Sequence, residues 1–311
     1  MAWSSVYFGV KVFLTGAAGF VGSHLLKRLL AEGHTVRALV RNRQKANNLP
    51  ASTQLTLVEG DVVKGTGLDE GMSGCDAVIH LVGIIVESGG ATFERVHHLG
   101  TCKVVEAAQR NKIVCFVQMS ALGARADGVS EYQTTKWKAE EVVRQSGIPW
   151  CILRPSLIFG SGAGFVTQML DVMHKAPLFR PVPGSGKPKF RPISVDDVTA
   201  CFAQALTNAA ATGKTVELGG ADELSLNEVL AEIAQCAGVR KPAIHVPMPL
   251  MFLGAAMAQT VLSHPPVTVG QLRMLKEGST CDIQPMVQLF GLKPIGFREG
   301  LKEYLCPKAK E

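Results

Sequence analysis

The sequence lacks several features that would place it in other classes of protein. Its eight cysteines include no Cys-x-x-Cys pair and stand far apart, which favours buried thiols in a reducing compartment over disulfides or a metal site. No stretch reaches the roughly 18 uninterrupted apolar residues of a transmembrane helix. The first ten residues lack the charged start and long apolar core of a secretion signal. We therefore expect a cytoplasmic protein without a bound metal.

The chain also lacks a strong charge bias. Charged residues make up 19% and hydrophobic residues 47% of its 311 residues, and the formal net charge is only +6, with the basic residues dispersed. This composition argues against a disordered chain and against a nucleic-acid partner. The length suits one large α/β unit or two domains, and either is large enough to be an enzyme.

Apolar β-branched runs alternate with helical patterns through the first half of the chain. The predicted strands are 10–14, 34–40, 55–61, 76–83, 113–119 and 150–155, and the predicted helices between them are 20–32, 100–110 and 131–145. Such alternation predicts an α/β fold with a doubly wound parallel sheet over residues 9–155. Glycine and proline become frequent beyond residue 155, where helices are predicted at 195–206, 225–236 and near 268–276. We expect residues 156–311 to form a smaller substrate lobe that interleaves with the first domain.

The first predicted strand runs into three glycines spaced three apart, in the sequence TGAAGFVG. Gly16 permits a tight turn, Gly19 permits close approach of a pyrophosphate, and Gly22 permits the helix to pack on the sheet. The pyrophosphate would meet free N–H groups at the positive end of the helix dipole. The pattern thus predicts a Rossmann-type dinucleotide site. The candidate binding residues in this turn are Gly16, Ala18, Gly19, Phe20, Val21 and Gly22.

The end of the second predicted strand indicates which dinucleotide is bound. An acidic residue at this point would bind the adenosine ribose hydroxyls and repel a 2′-phosphate. Val40 takes that place here, followed by Arg41, with Arg43 and Lys45 close behind. Loss of the acid and gain of cations predict NADP(H) rather than NAD(H).

Tyr132 and Lys136 stand four residues apart on a predicted helix and therefore on one face of it. A phenol is a weak acid, but a neighbouring ammonium favours the phenolate and lowers the phenol pKa. We therefore expect Tyr132 to pass a proton during hydride transfer, with Lys136 lowering its pKa and binding the nicotinamide ribose. The alternative is a surface pair without a role in chemistry.

Several motifs together resemble the short-chain dehydrogenase/reductase superfamily, in its atypical or extended, epimerase/dehydratase-like branch. They are TGAAGFVG, ALVRNR, GDV, FERVHHLGT, QMSALGA, YQTTK, LRPSLIFG and ISVDDV, which together extend from about residue 10 to about residue 235. Within that branch the chain is similar to the nucleotide-binding accessory subunit of respiratory complex I and its bacterial relatives. The resemblance implies an oxidoreductase fold with a bound nicotinamide dinucleotide.

The resemblance also implies roles for further residues. Asp61 and Val62 would flank the adenine, whereas Leu81, Val82 and Gly83 would line the ribose. His97 lies where many relatives have an asparagine that steadies the site through backbone contacts. Pro155, Ser156 and Ile158 would border the nicotinamide, and Asp197 would have a structural role.

The fifth strand departs from the family pattern. Short-chain dehydrogenases commonly end this strand in two serines, of which the second is catalytic, whereas this chain has Ser120 followed by Ala121. Ser120 is therefore the candidate to polarise a substrate carbonyl, after a small shift of its loop. Alternatively, the site binds cofactor without turning it over.

The sequence is compatible with three functions. The first is an NADP(H)-dependent reductase or dehydrogenase acting on a small carbonyl, alcohol or quinone-like substrate. The second is an NADPH-holding subunit of a respiratory assembly, and the third is an NADP(H) redox sensor with a protein partner. The stretch MPLMFLGAAMAQTVL at 248–262 is expected to form core or a pocket lid, with a membrane-surface helix as the less favoured alternative.

Overall fold

The computed structural model describes residues 9–46, 49–262 and 265–305. Cys306, the end of the expected second lobe at 306–311 and the side chain of Lys45 lie outside the described parts. In chain order the strands are β1 Lys11–Thr15, β2 Thr35–Val40, β3 Leu55–Glu59, β4 Ala77–His80, β5 Cys115–Met119, β6 Trp150–Pro155, β7 Ile158–Phe159, β8 Arg180–Pro183, β9 Lys189–Phe190, β10 Ile193–Ser194, β11 Lys214–Leu218, β12 Leu224–Ser225 and β13 Ala243–Val246.

The helices lie between these strands and after the last of them. They are α1 Phe20–Ala31, α2 Leu68–Met72, α3 Gly100–Arg110, α4 Glu131–Arg144, α5 Gly164–Lys175, α6 Val195–Ala205, α7 Leu226–Cys236, α8 Met248–Val261, α9 Val269–Glu277, α10 Gln284–Phe290 and α11 Phe297–Leu305. A π-helical turn, Glu94–Leu99, leads directly into α3. No helix within the described ranges has the length and apolar character needed to cross a bilayer.

Seven strands form one parallel sheet in the order β11-β6-β5-β4-β1-β2-β3. The expected doubly wound fold is confirmed, and the six strands expected from the first half of the chain all lie in this sheet. The seventh, β11, comes from beyond residue 155 and pairs with β6, so the chain returns to the sheet after starting the second lobe. The strand order reverses between β1 and β4, which opens a crevice at the carboxyl edge of the sheet.

Alternate side chains of the sheet enter two separate cores, because successive residues of a strand point to opposite faces. Val12, Leu14 and Ile79 pack in one core with residues of α1 and α6, such as Leu26 and Phe202. Phe13, Val78, Phe116 and Ile152 enter the other core, which α2, α3 and α4 cover. A third core, which includes Phe159, Phe190, Leu230, Phe297 and Leu301, fills the second lobe.

The three helices expected in the second half form α6, α7 and α9. The capping box read from the sequence SLNE is present: the Ser225 hydroxyl accepts from the Glu228 N–H, and the Glu228 carboxylate accepts from the Ser225 N–H. This arrangement satisfies N–H groups at the helix start that have no intrahelical acceptor. Helices α5, α10 and α11 have no counterpart among the sequence expectations.

Candidate active site

The glycine turn after β1 forms a tight cradle at the start of α1. Gly16 has a φ of +81°, and the Gly19 N–H donates to its carbonyl oxygen at 3.0 Å. A Cβ on Gly22 would lie 2.0 Å from the same oxygen, so only glycine fits there. Gly19 caps α1 without a side-chain hydrogen bond. The N–H groups of the first turn therefore lack intrahelical acceptors and are suited to a pyrophosphate.

Other expected site residues converge on this turn at the carboxyl edge of the sheet. A Cβ on Gly16 would lie 3.2 Å from Leu81 Cβ and 3.3 Å from the Val82 nitrogen, so the segment after β4 packs directly on the turn. On the other side, the Gly60 N–H donates to the carbonyl of Val40 at 3.0 Å, which sets the segment after β3 beside the end of β2.

The residues expected at the adenosine end differ in their contacts. Asp61 Oδ1 accepts from the Val63 N–H at 2.7 Å and shapes the turn after β3, whereas the Val62 side chain is buried. The Arg43 guanidinium donates to the Leu57 carbonyl at 2.9 Å. Arg41 is exposed and makes no hydrogen bond or ion pair with the residues that the structure describes. Arg41 is therefore the better placed of the two arginines to meet a ligand.

Helix α4 carries Tyr132 and Lys136 to the same edge. Lys136 is buried, and its Nζ donates to the Met119 carbonyl oxygen at 3.2 Å. A Cβ on Gly83 would lie 2.9 Å from this Nζ, so the ammonium adjoins the segment expected to line the ribose. Burial lowers the pKa of Lys136 to about 8, although attraction to Glu140 opposes the shift.

The pKa of Tyr132 runs against the sequence expectation. The Lys136 ammonium was expected to lower the pKa of this phenol. Burial instead raises the Tyr132 pKa to about 12. The expectation was wrong because desolvation of the phenolate decides the shift. Tyr132 is consequently protonated at neutral pH and is suited to donate a proton.

The His97 ring binds the backbone of the segment after β4. A backbone contact of this kind was expected at this position. The Ile84 N–H donates to Nε2 at 3.0 Å, and Nδ1 lies 3.0 Å from Thr135 Oγ1. The Thr135 hydroxyl donates to the Glu131 carbonyl and can therefore accept from His97 Nδ1. These bonds assign the proton of the neutral His97 ring to Nδ1 and leave Nε2 as the acceptor for Ile84. Burial and the Lys136 charge lower the pKa of His97 to about 2. Its ring packs edge-on against Tyr132 at 5.3 Å between centroids.

The candidate catalytic serine, Ser120, and the residues expected to border the nicotinamide differ in their contacts. Ser120 is almost fully buried, and its Oγ has no hydrogen-bond partner among the described residues. The Ser156 hydroxyl donates to the Ser279 carbonyl at 3.0 Å, which ties β6 to the segment after α9. Pro155 ends β6, and Ile158 pairs with Ile193 in β10. Asp197 accepts from the Ile295 N–H at 2.9 Å, in keeping with the structural role expected for it.

A buried polar row beneath α4 was not anticipated from the sequence. Thr15 Oγ1 lies 2.6 Å from His80 Nδ1, and His80 is in register with Gln118 on the next strand. His80 Nε2 and Gln118 Oε1 have no hydrogen-bond partner within the described ranges. Burial and the nearby Lys136 charge lower the pKa of His80 to about 3. His80 at the end of the apolar run AVIH could have indicated a buried polar group. Its partner, Thr15, follows only from the register of β1 and β4.

Charged side chains fix both ends of α4. Near its C-terminal end, the fully buried Glu140 carboxylate accepts two hydrogen bonds from Arg154, at 2.7 and 2.6 Å, and one from Arg144 at 2.6 Å. Near its start, Glu277 of α9 accepts from Gln133 Nε2 at 2.7 Å and from Arg125. Helix α9 therefore holds the turn of α4 that carries Tyr132.

A parallel sheet that reverses its order beside a glycine-lined helix start defines a Rossmann-type dinucleotide-binding protein. Residues 16–209 match the NAD(P)H-binding family, and the chain belongs to that family. It therefore binds a nicotinamide dinucleotide. The cradle at Gly16–Gly22 and the buried ammonium beside Gly83 fit such a ligand.

Three curated relatives extend this assignment. The chain is 29% identical to ceramide reductase of Caulobacter vibrioides, across 83% of this chain and 81% of that protein. It is 31% identical to the mitochondrial NADH dehydrogenase [ubiquinone] 1 alpha subcomplex subunit 9 of Arabidopsis thaliana, across 72% of this chain and 57% of that subunit. It is 32% identical to 4-hydroxy-2-methyl-3-oxo-4-farnesyl-3,4-dihydroquinoline-1-oxide ketoreductase of Stigmatella aurantiaca, across 53% of this chain.

The chain spans only 55% of the length of that ketoreductase. Its fold is similar to UDP-glucuronic acid 4-epimerase from Bacillus cereus in complex with NAD, with a TM-score of 0.75 and 19% identity, across 95% of this chain and 98% of that one. The resemblance to epimerase/dehydratase-like proteins and to complex I subunits is thus confirmed.

Proposed function

We propose that the chain is an NADP(H)-dependent oxidoreductase of the short-chain dehydrogenase type, acting on a carbonyl or alcohol group. The observation that carries the proposal is the joint placement of Tyr132 and Lys136 on the inner face of α4, with the Lys136 ammonium beside Gly83. In this proposal residues 9–155 bind the cofactor and residues 156–311 contribute the substrate lobe.

Each residue at the edge then has a distinct task. Lys136 binds the ribose hydroxyls, while His97 holds the segment after β4 in place through Ile84. Tyr132, whose pKa burial raises to about 12, gives its proton to the carbonyl oxygen during reduction. The bound dinucleotide supplies the hydride. Ser120 polarises the carbonyl only if its loop shifts, because its hydroxyl is buried in this structure.

The preference for NADP(H) rests on the end of β2. Val40 occupies the place of the acidic residue that would repel a 2′-phosphate, and the exposed Arg41 follows it. A guanidinium can bind a phosphate through two parallel N–H donors, which a neutral side chain cannot.

The relatives support an apolar substrate. One is named for the reduction of ceramide and another for a farnesyl-bearing quinoline oxide, and both names describe apolar molecules with a reducible carbonyl or its alcohol. The second lobe of this chain has its own apolar core, and α9 from that lobe packs on the start of α4. We therefore propose an apolar carbonyl, alcohol or quinone-like compound as the substrate class.

A second candidate function is a non-catalytic NADPH holder within a respiratory assembly. Ala121 stands where a catalytic serine is expected, and the neighbouring Ser120 hydroxyl is buried. The match to a complex I subunit supports the same candidate. The presence of both Tyr132 and Lys136 on one face of α4 favours the oxidoreductase over the holder.

One experiment separates the two candidates. The purified protein is loaded with NADPH, and its oxidation is followed after adding long-chain ketones, aldehydes and quinones. We expect oxidation with at least one apolar acceptor. NADPH that stays bound and unreacted across the whole series would instead support the holder, and failure to bind either dinucleotide would contradict both.

A further inference from the structure

Helix α8 presents a stripe of large apolar side chains to solvent. Leu250, Leu253, Met257 and Val261 are 60, 60, 63 and 82% exposed. Their spacing of three, four and four residues places them on one face of the helix. Such a continuous exposed apolar stripe marks an interaction surface rather than ordinary scattered surface residues.

The opposite face of α8 already packs on the protein. Ala255 is buried, Met248 adjoins Gly184, and the Gln259 side chain accepts from the Val269 N–H at 2.9 Å. The helix is therefore apolar on both faces, and the fold uses only one of them. The sequence expectation of core or a pocket lid accounts for the inner face alone.

The charged residues nearest to α8 along the chain are cations. Residues 233–276 contain no aspartate or glutamate, and from Pro242 to Leu262 there is no charged residue of either sign. Arg240 lies before this stretch, and Arg273 and Lys276 lie after it on α9, which packs against α8. These three cations are exposed and form no ion pair within the described ranges. The next acidic residue, Glu277, already binds Arg125 and Gln133. An apolar stripe with unpaired cations before and after it complements an anionic lipid surface.

We propose that α8 lies flat on an anionic membrane, with its stripe among the acyl chains and Arg240, Arg273 and Lys276 facing the lipid phosphates. The helix has 14 residues and is about 21 Å long, shorter than the roughly 30 Å hydrocarbon core, so it lies in the interface rather than crossing. Covalently attached lipid is not required for this contact.

A second copy of the chain fits the same surface less well. Symmetric pairing would bring two acid-free segments together and set cation against cation. Four side chains on one short helix also fall well below the area of about 800 Å² per partner that a stable interface buries. The proposal does not depend on catalysis, because the membrane contact can be measured without any substrate.

Vesicle flotation of the full chain tests the proposal. The probes are vesicles of phosphatidylcholine alone and of phosphatidylcholine with phosphatidylglycerol. We expect the wild type to float with the anionic vesicles, and the double variant Leu253→Asp/Met257→Asp to lose binding by at least about tenfold. Arg273→Gln/Lys276→Gln should bind more weakly than the wild type and with less dependence on salt.

The matched control is Val114→Asp, because Val114 is 63% exposed and lies before β5, far along the chain from α8. This control should float like the wild type, and circular dichroism checks that each variant is folded. The proposal is overturned if the wild type does not float, or if the α8 variant floats equally well. Light scattering that shows a wild-type dimer lost in the α8 variant, without vesicle binding, would assign the stripe to a second copy.

Discussion

The Lys136 ammonium donates a hydrogen bond to the Met119 carbonyl oxygen at 3.2 Å and thereby joins α4 to the end of β5. Lys136 is 4% exposed, so its charge is almost completely removed from water. Burial lowers the pKa of Lys136 to about 8. A charge kept at the cofactor edge in this way costs folding stability.

Replacement of Lys136 by methionine should stabilise the cofactor-free protein at neutral pH. The Lys136 pKa is about 8 in the fold and near the ordinary lysine value of 10.5 in the unfolded chain, so the unfolded chain binds more protons between these values. The charge therefore costs up to about 3 kcal/mol below about pH 8, and stability rises as the pH increases towards 10.5. Urea unfolding should show a gain for Lys136→Met that shrinks above about pH 8. A variant that is less stable at neutral pH would contradict this account.

Removal of the Tyr132 hydroxyl should slow reduction strongly without affecting cofactor binding. The pKa of about 12 keeps the phenol protonated throughout the neutral range, so it can donate a proton there. We expect Tyr132→Phe to lower the rate of NADPH oxidation by about 10²- to 10⁴-fold, with an unchanged NADPH Kd. Tyr304→Phe is the control. Burial raises the pKa of that tyrosine to about 12 too, yet its hydroxyl oxygen accepts from the Gly160 N–H in the second lobe. Equal loss in both variants would exclude a specific role for Tyr132.

The fold was predictable from the sequence where the apolar pattern is strong. Strands β1 to β6 are marked by runs of apolar β-branched residues, and TGAAGFVG fixes the turn after β1. Strand β11 was not expected, because KTVEL contains only two apolar residues and lies outside the regular strand–helix alternation of the first half. Its place beside β6 depends on the path of the whole chain.

The site was predictable as a set of positions but not as an electrostatic environment. The spacing of Tyr132 and Lys136 correctly put them on one face of α4, yet the direction of the Tyr132 pKa was wrong, because burial cannot be read from spacing. Likewise, the bond between Thr15 and His80 depends on the register of β1 and β4. The exposure of α8 depends on what packs against it, which its composition does not reveal.

Replacement of Arg41 by alanine should reduce the preference for NADP(H). In the proposed site the exposed Arg41 guanidinium binds the 2′-phosphate, so its loss should weaken NADPH binding by about tenfold or more and leave NADH binding unchanged. Cofactor titration by fluorescence measures both. Arg37→Ala is the matched control, because Arg37 lies on β2 and its guanidinium donates to the Ser73 carbonyl at 2.8 Å. An unchanged NADPH-to-NADH ratio in Arg41→Ala would refute the assignment.

His97 should act as a positioning residue rather than an acid or base. Its pKa of about 2 keeps the ring neutral across the working range, so pH profiles should contain no step from this histidine. His97→Ala leaves the Ile84 N–H without its acceptor and should lower the unfolding free energy by about 1–3 kcal/mol. His97→Asn restores an acceptor for the Ile84 N–H. Compared with His97→Ala, it should recover most of the unfolding free energy and most of the NADPH affinity. The neighbouring His98→Ala, which removes only a surface pair with Glu94, should cost less than about 1 kcal/mol.

Loss of the Glu277 carboxylate should loosen the turn of α4 that carries Tyr132. Glu277 accepts from Gln133 at 2.7 Å and pairs with Arg125, so Glu277→Ala removes both contacts, whereas Glu277→Gln retains an acceptor. We expect faster amide hydrogen exchange over residues 125–135 in Glu277→Ala, with a smaller change in Glu277→Gln. Turnover should fall about tenfold at an unchanged NADPH Kd, because a displaced proton donor slows chemistry without affecting the dinucleotide cradle.

The control for Glu277 is Glu217→Ala. Glu217 lies on the edge strand β11, and its exposed carboxylate is 3.9 Å from the Arg154 guanidinium of β6. Exchange over residues 125–135 should stay at the wild-type rate in this control. If Glu277→Ala also leaves that rate unchanged, α9 does not hold the start of α4. If exchange increases but turnover does not fall, the contact exists but Tyr132 is not the proton donor, since a misplaced donor must slow the reaction that it serves.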